Sequence, residues 1–235
     1  MTMKHTLFTL LAALVASPAF AGNLTSSDWT TSCVEQHAHY FTFENGNLVT
    51  HGGGERGYCE LSYTSTAYKM ENGSSLAITL QFASTQGLKD FTVCSSSDIE
   101  AADVAYLYVR TTGEGYFELN QWDNATDDYI RHTLTEASET PASLTLNFIV
   151  ENGNLGYTYT FNNGGESEKF TVAEGIDTSL AWQPYFSWRV VNATEVTVTD
   201  VTFSTSSPVV PEPATATLSL LALAGLAARR RRATR

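Results

Sequence analysis

Leu76-Ala77-Ile78-Thr79-Leu80-Gln81-Phe82 decides the fold class. Large apolar residues hold the even positions, and small or polar ones the odd positions. Successive side chains of an extended chain point to opposite sides, so the segment reads as a strand with one face in a core. Leu144, Leu146, Phe148 and Val150 repeat the alternation, as do Tyr157, Tyr159 and Phe161. Thr, Val, Tyr and Phe are abundant in these runs, and such side chains pack well on a pleated, half-buried surface. No stretch between residues 22 and 210 carries the apolar spacing of an amphipathic helix.

Turn signals separate the runs at short intervals. Glu44-Asn45-Gly46-Asn47 and Glu151-Asn152-Gly153-Asn154 are near copies between alternating stretches, and Asn72-Gly73 and Asn163-Gly164 repeat the dipeptide. Asn-Gly supplies the positive φ angles that two-residue hairpins need. Near the end, Val196 and Val198 are apolar at even positions, while Val201 and Phe203 continue at odd ones. One extra residue near Thr199-Asp200 restores the phase, which predicts a β-bulge. The expected fold is all-β, an antiparallel sandwich or jelly roll over residues 22–204.

The segments Val109-Arg110-Thr111, Gly115-Tyr116-Phe117-Glu118-Leu119-Asn120 and Trp188 to Ser204 resemble the strands of laminin-G and concanavalin A-like jelly rolls. The resemblance is one of pattern, without a diagnostic motif. It implies a lectin-like domain, and it brings in a glycosidase family that shares the fold.

Both chain ends read as targeting signals. Lys4 and His5 precede an apolar run from Leu7 to Ala16, and Ser17-Pro18-Ala19-Phe20-Ala21 offers small residues at Ala19 and Ala21. This is the layout of a signal peptide, residues 1–21, cut by signal peptidase to leave Gly22 first. At the other end a polar linker, residues 205–210, leads to Pro211-Glu212-Pro213. Ala214 to Ala228 follows as an apolar segment, closed by Arg229, Arg230, Arg231 and Arg232. Such a segment is short for a permanent span, and its arginines stay on the cytoplasmic side.

The tail, residues 211–235, resembles the PEP-CTERM domain of Gram-negative bacteria. That resemblance implies recognition by an exosortase-like membrane transpeptidase, with the membrane held by the C-terminal helix before processing. It places the protein in the cell envelope, on the outer surface or in an extracellular polysaccharide matrix.

Between these signals, seven basic groups stand against 24 of the chain's 25 acidic ones, an excess of 17 negative charges. That field repels nucleic acid, which is set aside as a partner. Cys33, Cys59 and Cys94 make an odd count in a compartment that permits disulfides. Spacing does not choose the pair. The preferred one is Cys33 with Cys59, leaving Cys94 as a buried small hydrophobe.

Catalytic patterns are weak. His51-Gly52-Gly53-Gly54 lacks the nucleophile elbow that an oxyanion loop serves. Glu118-x-Asn120-x-x-Asp123 is a distorted echo of a glycosidase strand, because the central acid is an amide and Asp123 is out of phase. His37 and His39 share a face with Glu35 but show no fourth metal ligand. Asp123, Asn124, Asp127 and Asp128 offer oxygen atoms that calcium accepts, or a polar turn. No other metal and no cofactor is expected.

The best lead is aromatic. Trp122 ends a predicted strand beside Asp123 and Asn124, with Tyr129 near and Tyr116 at the same strand parity. An aromatic face with amide and carboxylate acceptors suits a sugar ring. Trp182 and Trp188 read as core. The expectation is a carbohydrate-binding, lectin-like domain without catalysis. A structural surface protein with no ligand site and a divergent glycoside hydrolase are the alternatives.

Overall fold

The computed structural model describes residues 20–21, 24–33, 40–51, 59–88, 91–96, 104–123, 126–188 and 195–205. In chain order the strands begin with β1 (Phe20–Ala21), β2 (Trp29–Cys33), β3 (Tyr40–Glu44), β4 (Asn47–His51) and β5 (Cys59–Tyr63). Next come β6 (Ser75–Phe82), β7 (Phe91–Cys94), β8 (Tyr106–Thr111), β9 (Tyr116–Asp123) and β10 (Asp128–Glu136). The last five are β11 (Ala142–Glu151), β12 (Asn154–Phe161), β13 (Phe170–Ala173), β14 (Tyr185–Trp188) and β15 (Val196–Ser204). The fold is the all-β sandwich that the alternation predicts. Its helical content among the described residues is one short 3-10 turn, Ser26–Asp28.

Two antiparallel sheets face each other. One runs β13-β12-β11-β6-β15-β4-β3, with β1 also on β15, and the other runs β10-β9-β8-β7-β14-β5-β2. Leu76, Ile78, Leu80 and Phe82 of β6 are buried against Leu107, Val109, Phe117 and Leu119 of the opposing sheet. Removing each such side chain from water contributes about 1.5–3 kcal/mol, which is what holds the layers together. Trp182 is fully buried, as expected of a core residue, and its Nε1 donates to Ser74 Oγ at 3.0 Å. The side chain of Trp188 lies outside the described residues.

The predicted bulge is present: β15 pairs with β6 in a register that shifts between Val198 and Asp200. Thr199 is the extra residue, and both Val198 and Val201 therefore face the core. The two Glu-Asn-Gly-Asn turns join β3 to β4 and β11 to β12, with Asn45, Gly46, Asn152 and Gly153 all at positive φ.

The other two Asn-Gly pairs depart from the hairpin expectation. At Asn72-Gly73 only the glycine has positive φ, and Asn72 Oδ1 instead accepts from Gly153 N at 2.6 Å. Past β12 the left-handed residues are Asn162 and Asn163, and a longer link leads to β13. The Asn72 bond ties the turn before β6 to the β11–β12 hairpin, 81 residues further along the chain.

Cys59 is disulfide-bonded, Cys94 is free and buried, and Cys33 stands directly opposite Cys59 in the β2–β5 register. Phe20 and Ala21 pair with Phe203 and Thr202. The rest of the expected signal peptide, and the whole expected tail helix, lie outside the described residues.

Candidate functional site

Alternation on three neighbouring strands builds an outward face. Phe117 and Leu119 of β9, and Leu107 and Val109 of β8, are buried in the core. Their neighbours Glu118, Asn120, Trp122, Tyr108 and Arg110 therefore point away from it. Register then sets them side by side. Trp122 opposes Tyr129 on β10, Asn120 opposes Arg131 on one side and Tyr108 on the other, and Glu118 opposes Arg110. The same transverse row continues from Tyr108 through Thr92 and Ser187 to Glu60, so it is polar across most of the sheet.

The aromatic residues form one cluster. Trp122 and Tyr129 meet edge to face with centroids 4.7 Å apart, and Tyr129 meets Tyr108 in the same way at 4.8 Å. The Arg110 guanidinium lies 5.6 Å from the Tyr108 centroid, within cation–π range. Trp122 and Tyr129 are half-buried, and Tyr108 is buried behind them.

Not every predicted residue joins this cluster. Tyr116 is on the same side of β9 and 40 % exposed. It lies six residues from Trp122, which is about 20 Å along a strand. It is not part of the same patch. Asp123 points the other way from Trp122, and its Oδ2 accepts from Thr126 Oγ1 at 2.8 Å. Asn124 lies outside the described residues.

Asp123 and Asp128 each spend a carboxylate oxygen locally. Asp128 Oδ1 accepts from Tyr129 N at 2.7 Å and lies 3.8 Å from an Arg131 nitrogen, while Asp127 takes a left-handed φ of 53°. Among the described residues no group of three or more acidic, His or Cys side chains is placed to hold a metal ion. Glu35, His37 and His39 lie outside the described residues, as do Gly52, Gly53 and Gly54. His51 is part-exposed, 2.8 Å from Thr42 Oγ1 and 3.4 Å from Glu44.

Sequence reasoning missed Tyr108, Arg110 and Arg131, and treated Asn120 only as a failed carboxylate. Tyr108 and Arg110 share a strand parity that could be read from the sequence. Their position beside Glu118 and Asn120 depends on which strands pair, and parity within one strand does not reveal that. Arg110 Nη2 is 3.7 Å from Glu118 Oε2. The described positions that flank Glu118 on this face are Thr133, Arg110, Tyr116 and Asn120, none of them acidic.

A second aromatic group closes the sandwich where β10 approaches β12 and β13. His132 Nε2 lies 3.0 Å from Tyr157 Oη, and the His132 ring is 4.3 Å from that of Phe170. Burial lowers the pKa of His132, and the nearby Glu168 carboxylate partly offsets this.

Comparison with known proteins assigns the two parts separately. The sandwich has the fold of lectin carbohydrate-recognition domains. It is similar to the carbohydrate recognition domain of Emp46p in its potassium-bound form, with a TM-score of 0.52 and 11% identity over 76% of this chain and 88% of that one. The Lotus tetragonolobus seed lectin also matches, at a TM-score of 0.52 and 11% identity over 80% of this chain and 97% of the lectin. A native glycosidic hydrolase matches at a TM-score of 0.50 and 13% identity, over 81% and 97% of the two chains. These likenesses establish the fold. No characterised protein matches the chain by sequence. Residues 209–232 match the PEP-CTERM protein-sorting motif. That motif marks an exported protein sorted to the envelope by an exosortase-type system.

Proposed function

We propose that the sandwich binds a saccharide on the outer face of its seven-stranded sheet, through Trp122, Tyr129 and Tyr108, without hydrolysing it. The observation that carries this reading is the Trp122–Tyr129 pair, part-exposed and set beside a transverse polar row. A pyranose offers C–H groups to an aromatic ring and hydroxyls to polar neighbours, so both kinds of contact are needed side by side. Catalysis by retention requires two carboxyls about 5–5.5 Å apart. Glu118 has Arg110 as its charged neighbour instead. The reading therefore favours a binding module over a glycosidase.

The protein we envisage begins at Gly22, after cleavage past Ala21. It folds residues 22–204 as the sandwich, with a linker over 205–210, and loses the tail at Pro211-Glu212-Pro213 to an exosortase-like transpeptidase. Arg229 to Arg232 hold the unprocessed tail at the cytoplasmic side of the membrane. Its compartment is the outer surface or polysaccharide matrix of a Gram-negative-type cell, where an extracellular glycan is the available ligand. Loss of β1 with the signal peptide removes two residues from the edge of β15, which keeps β6 and β4 as partners.

A glycan array probed with the protein and with its Trp122→Ala variant tests the site. Glycan signals that vanish in the variant are the expected outcome. An array on which the intact protein binds nothing, or on which both proteins bind alike, rejects it.

A further inference from the structure

Asn120 is fully buried on the outer side of the seven-stranded sheet, yet neither its Nδ2 nor its Oδ1 has a hydrogen-bond partner among the described residues. Buried amides in native proteins are almost always satisfied, so an orphan one calls for an explanation. Beside it, Glu118 Oε2 and Arg110 Nε are also buried without a hydrogen bond among the described residues. The 3.7 Å approach of Arg110 Nη2 to Glu118 Oε2 is too long to count as one.

These atoms belong to one block of the sheet. Arg110 and Tyr108 on β8 oppose Glu118 and Asn120 on β9. Glu118 and Asn120 lie two residues apart on one face, about 7 Å along the strand. The unmet set is two donors, Asn120 Nδ2 and Arg110 Nε, and two acceptors, Asn120 Oδ1 and Glu118 Oε2. The charges of Arg110 and Glu118 cancel.

We propose that this block is the polar floor of the saccharide site and takes a vicinal diol of a neutral sugar. The inference rests on the saccharide reading above and adds the class of sugar. Two adjacent hydroxyls each donate and accept, which matches two unmet donors and two unmet acceptors. An anionic sugar would bring its charge against the buried Glu118 carboxylate, and a cationic one against Arg110. Tyr108 links the block to Tyr129 and Trp122, so apolar and hydroxyl contacts fall on adjoining strands. Entry requires a side chain to turn aside, because the four atoms are closed to water in the free protein. Arg110, 33% exposed and resting over Tyr108, has that freedom. A site built on unmet groups discriminates strongly, because a sugar lacking either hydroxyl leaves them buried and unpaired.

The test titrates the full chain, in a non-glycosidic detergent, with methyl glucoside, mannoside, galactoside and glucuronide. Monodeoxy analogues of the glycoside that binds follow. Calorimetry gives affinity, and NMR follows the Asn120 side-chain amide, assigned by its loss in Asn120→Ala. The proposal expects a neutral glycoside to bind and to shift that amide signal. Asn120→Ala, and removal of one hydroxyl of the pair, should each weaken binding about tenfold or more. The thermal midpoint of Asn120→Ala should not fall, since removing an unsatisfied group deprives no other group of a partner. Binding that depends on Trp122 but not on Asn120 overturns the diol floor and leaves the aromatic reading standing. Preference for the glucuronide, or a midpoint lowered by several degrees in Asn120→Ala, also overturns it. The midpoint result would mark Asn120 as held by a structural water. If no glycoside binds at millimolar concentration, both readings fall.

Discussion

Trp122 and Tyr129 face each other across the β9–β10 ladder, with ring centroids 4.7 Å apart and planes inclined at 69°. In the proposed site the pair couples binding to local stability, because each ring is partly the other's packing surface. Trp122→Ala should abolish saccharide binding and cost at least about 1 kcal/mol, the typical worth of an edge-to-face pair before the burial lost from the half-buried indole is added. That lowers the thermal midpoint by at least about 2–4 °C in a domain of this size. Calorimetric melting beside a binding assay reads both. A loss of several kcal/mol would instead place Trp122 in the core.

His132 should make stability depend on pH. Its folded pKa lies below the ordinary value of 6.5, first because burial disfavours the imidazolium, with Glu168 acting against that. Between the two values the unfolded chain binds the extra proton. The contribution is therefore complete above about pH 6.5 and is lost as pH falls toward the folded value. Of the groups facing the ring, Tyr157 and Tyr159 have raised pKa values and stay neutral through this range. Urea midpoints measured from pH 7.5 down to 5.5 should fall in the native protein and fall less in His132→Phe. Parallel slopes in the two proteins would rule His132 out as the cause.

Trp182→Ala should be among the most damaging single changes. The side chain is fully buried, and its indole donates to the buried Ser74 hydroxyl. Cavity formation and the orphaned hydroxyl together predict a loss of about 3–5 kcal/mol. Equilibrium urea unfolding measures it, and a loss below about 1 kcal/mol would contradict the packing described.

We propose Cys33 as the disulfide partner of Cys59, because the register places them opposite each other. A loop of that length stabilises the fold by about 3.5 kcal/mol through the unfolded chain. Non-reducing peptide mapping should find one linked pair carrying both residues. Cys94 should resist alkylation until the protein unfolds, since burial pushes its thiol pKa well up. A linked peptide containing Cys94 would refute the assignment.

Processing at both ends is open to intact mass measurement of the envelope-extracted protein. The expected species starts at Gly22 and lacks Arg229 to Arg235. Retention of those arginines on the major species would make the tail an anchor, and retention of Met1 would remove the signal-peptide proposal.

The sandwich was legible because one-sided burial writes period-two alternation into the chain, as in Leu76 to Phe82. Even the bulge at Thr199 showed, as a change of parity between Val198 and Val201. The candidate site was legible only in part. Trp122 and Tyr129 were visible through their closeness in sequence. Tyr108 and Arg110 reach Glu118 and Asn120 through strand pairing, which parity alone does not fix. Tyr116 misled for a related reason, since equal parity says nothing about distance along a strand. The Asn72-Gly73 and Asn163-Gly164 turns misled because the dipeptide permits paired positive φ angles without imposing them, and neither Asn72 nor Gly164 adopts one.

The bulged strand β15 is the last element before the sorting tail, and it sits inside its sheet, between β6 and β4. Any load carried by an attachment at residue 205 or beyond therefore pulls along β15, which is paired with β6 along its length and with β4 at its start. Its eight residue pairs with β6 run antiparallel from Val196 to Ser204, so such a pull shears the whole ladder at once and does not peel it bond by bond. On the proposed reading, a domain tethered in this way holds fast while a saccharide bound on the far sheet is dragged by flow.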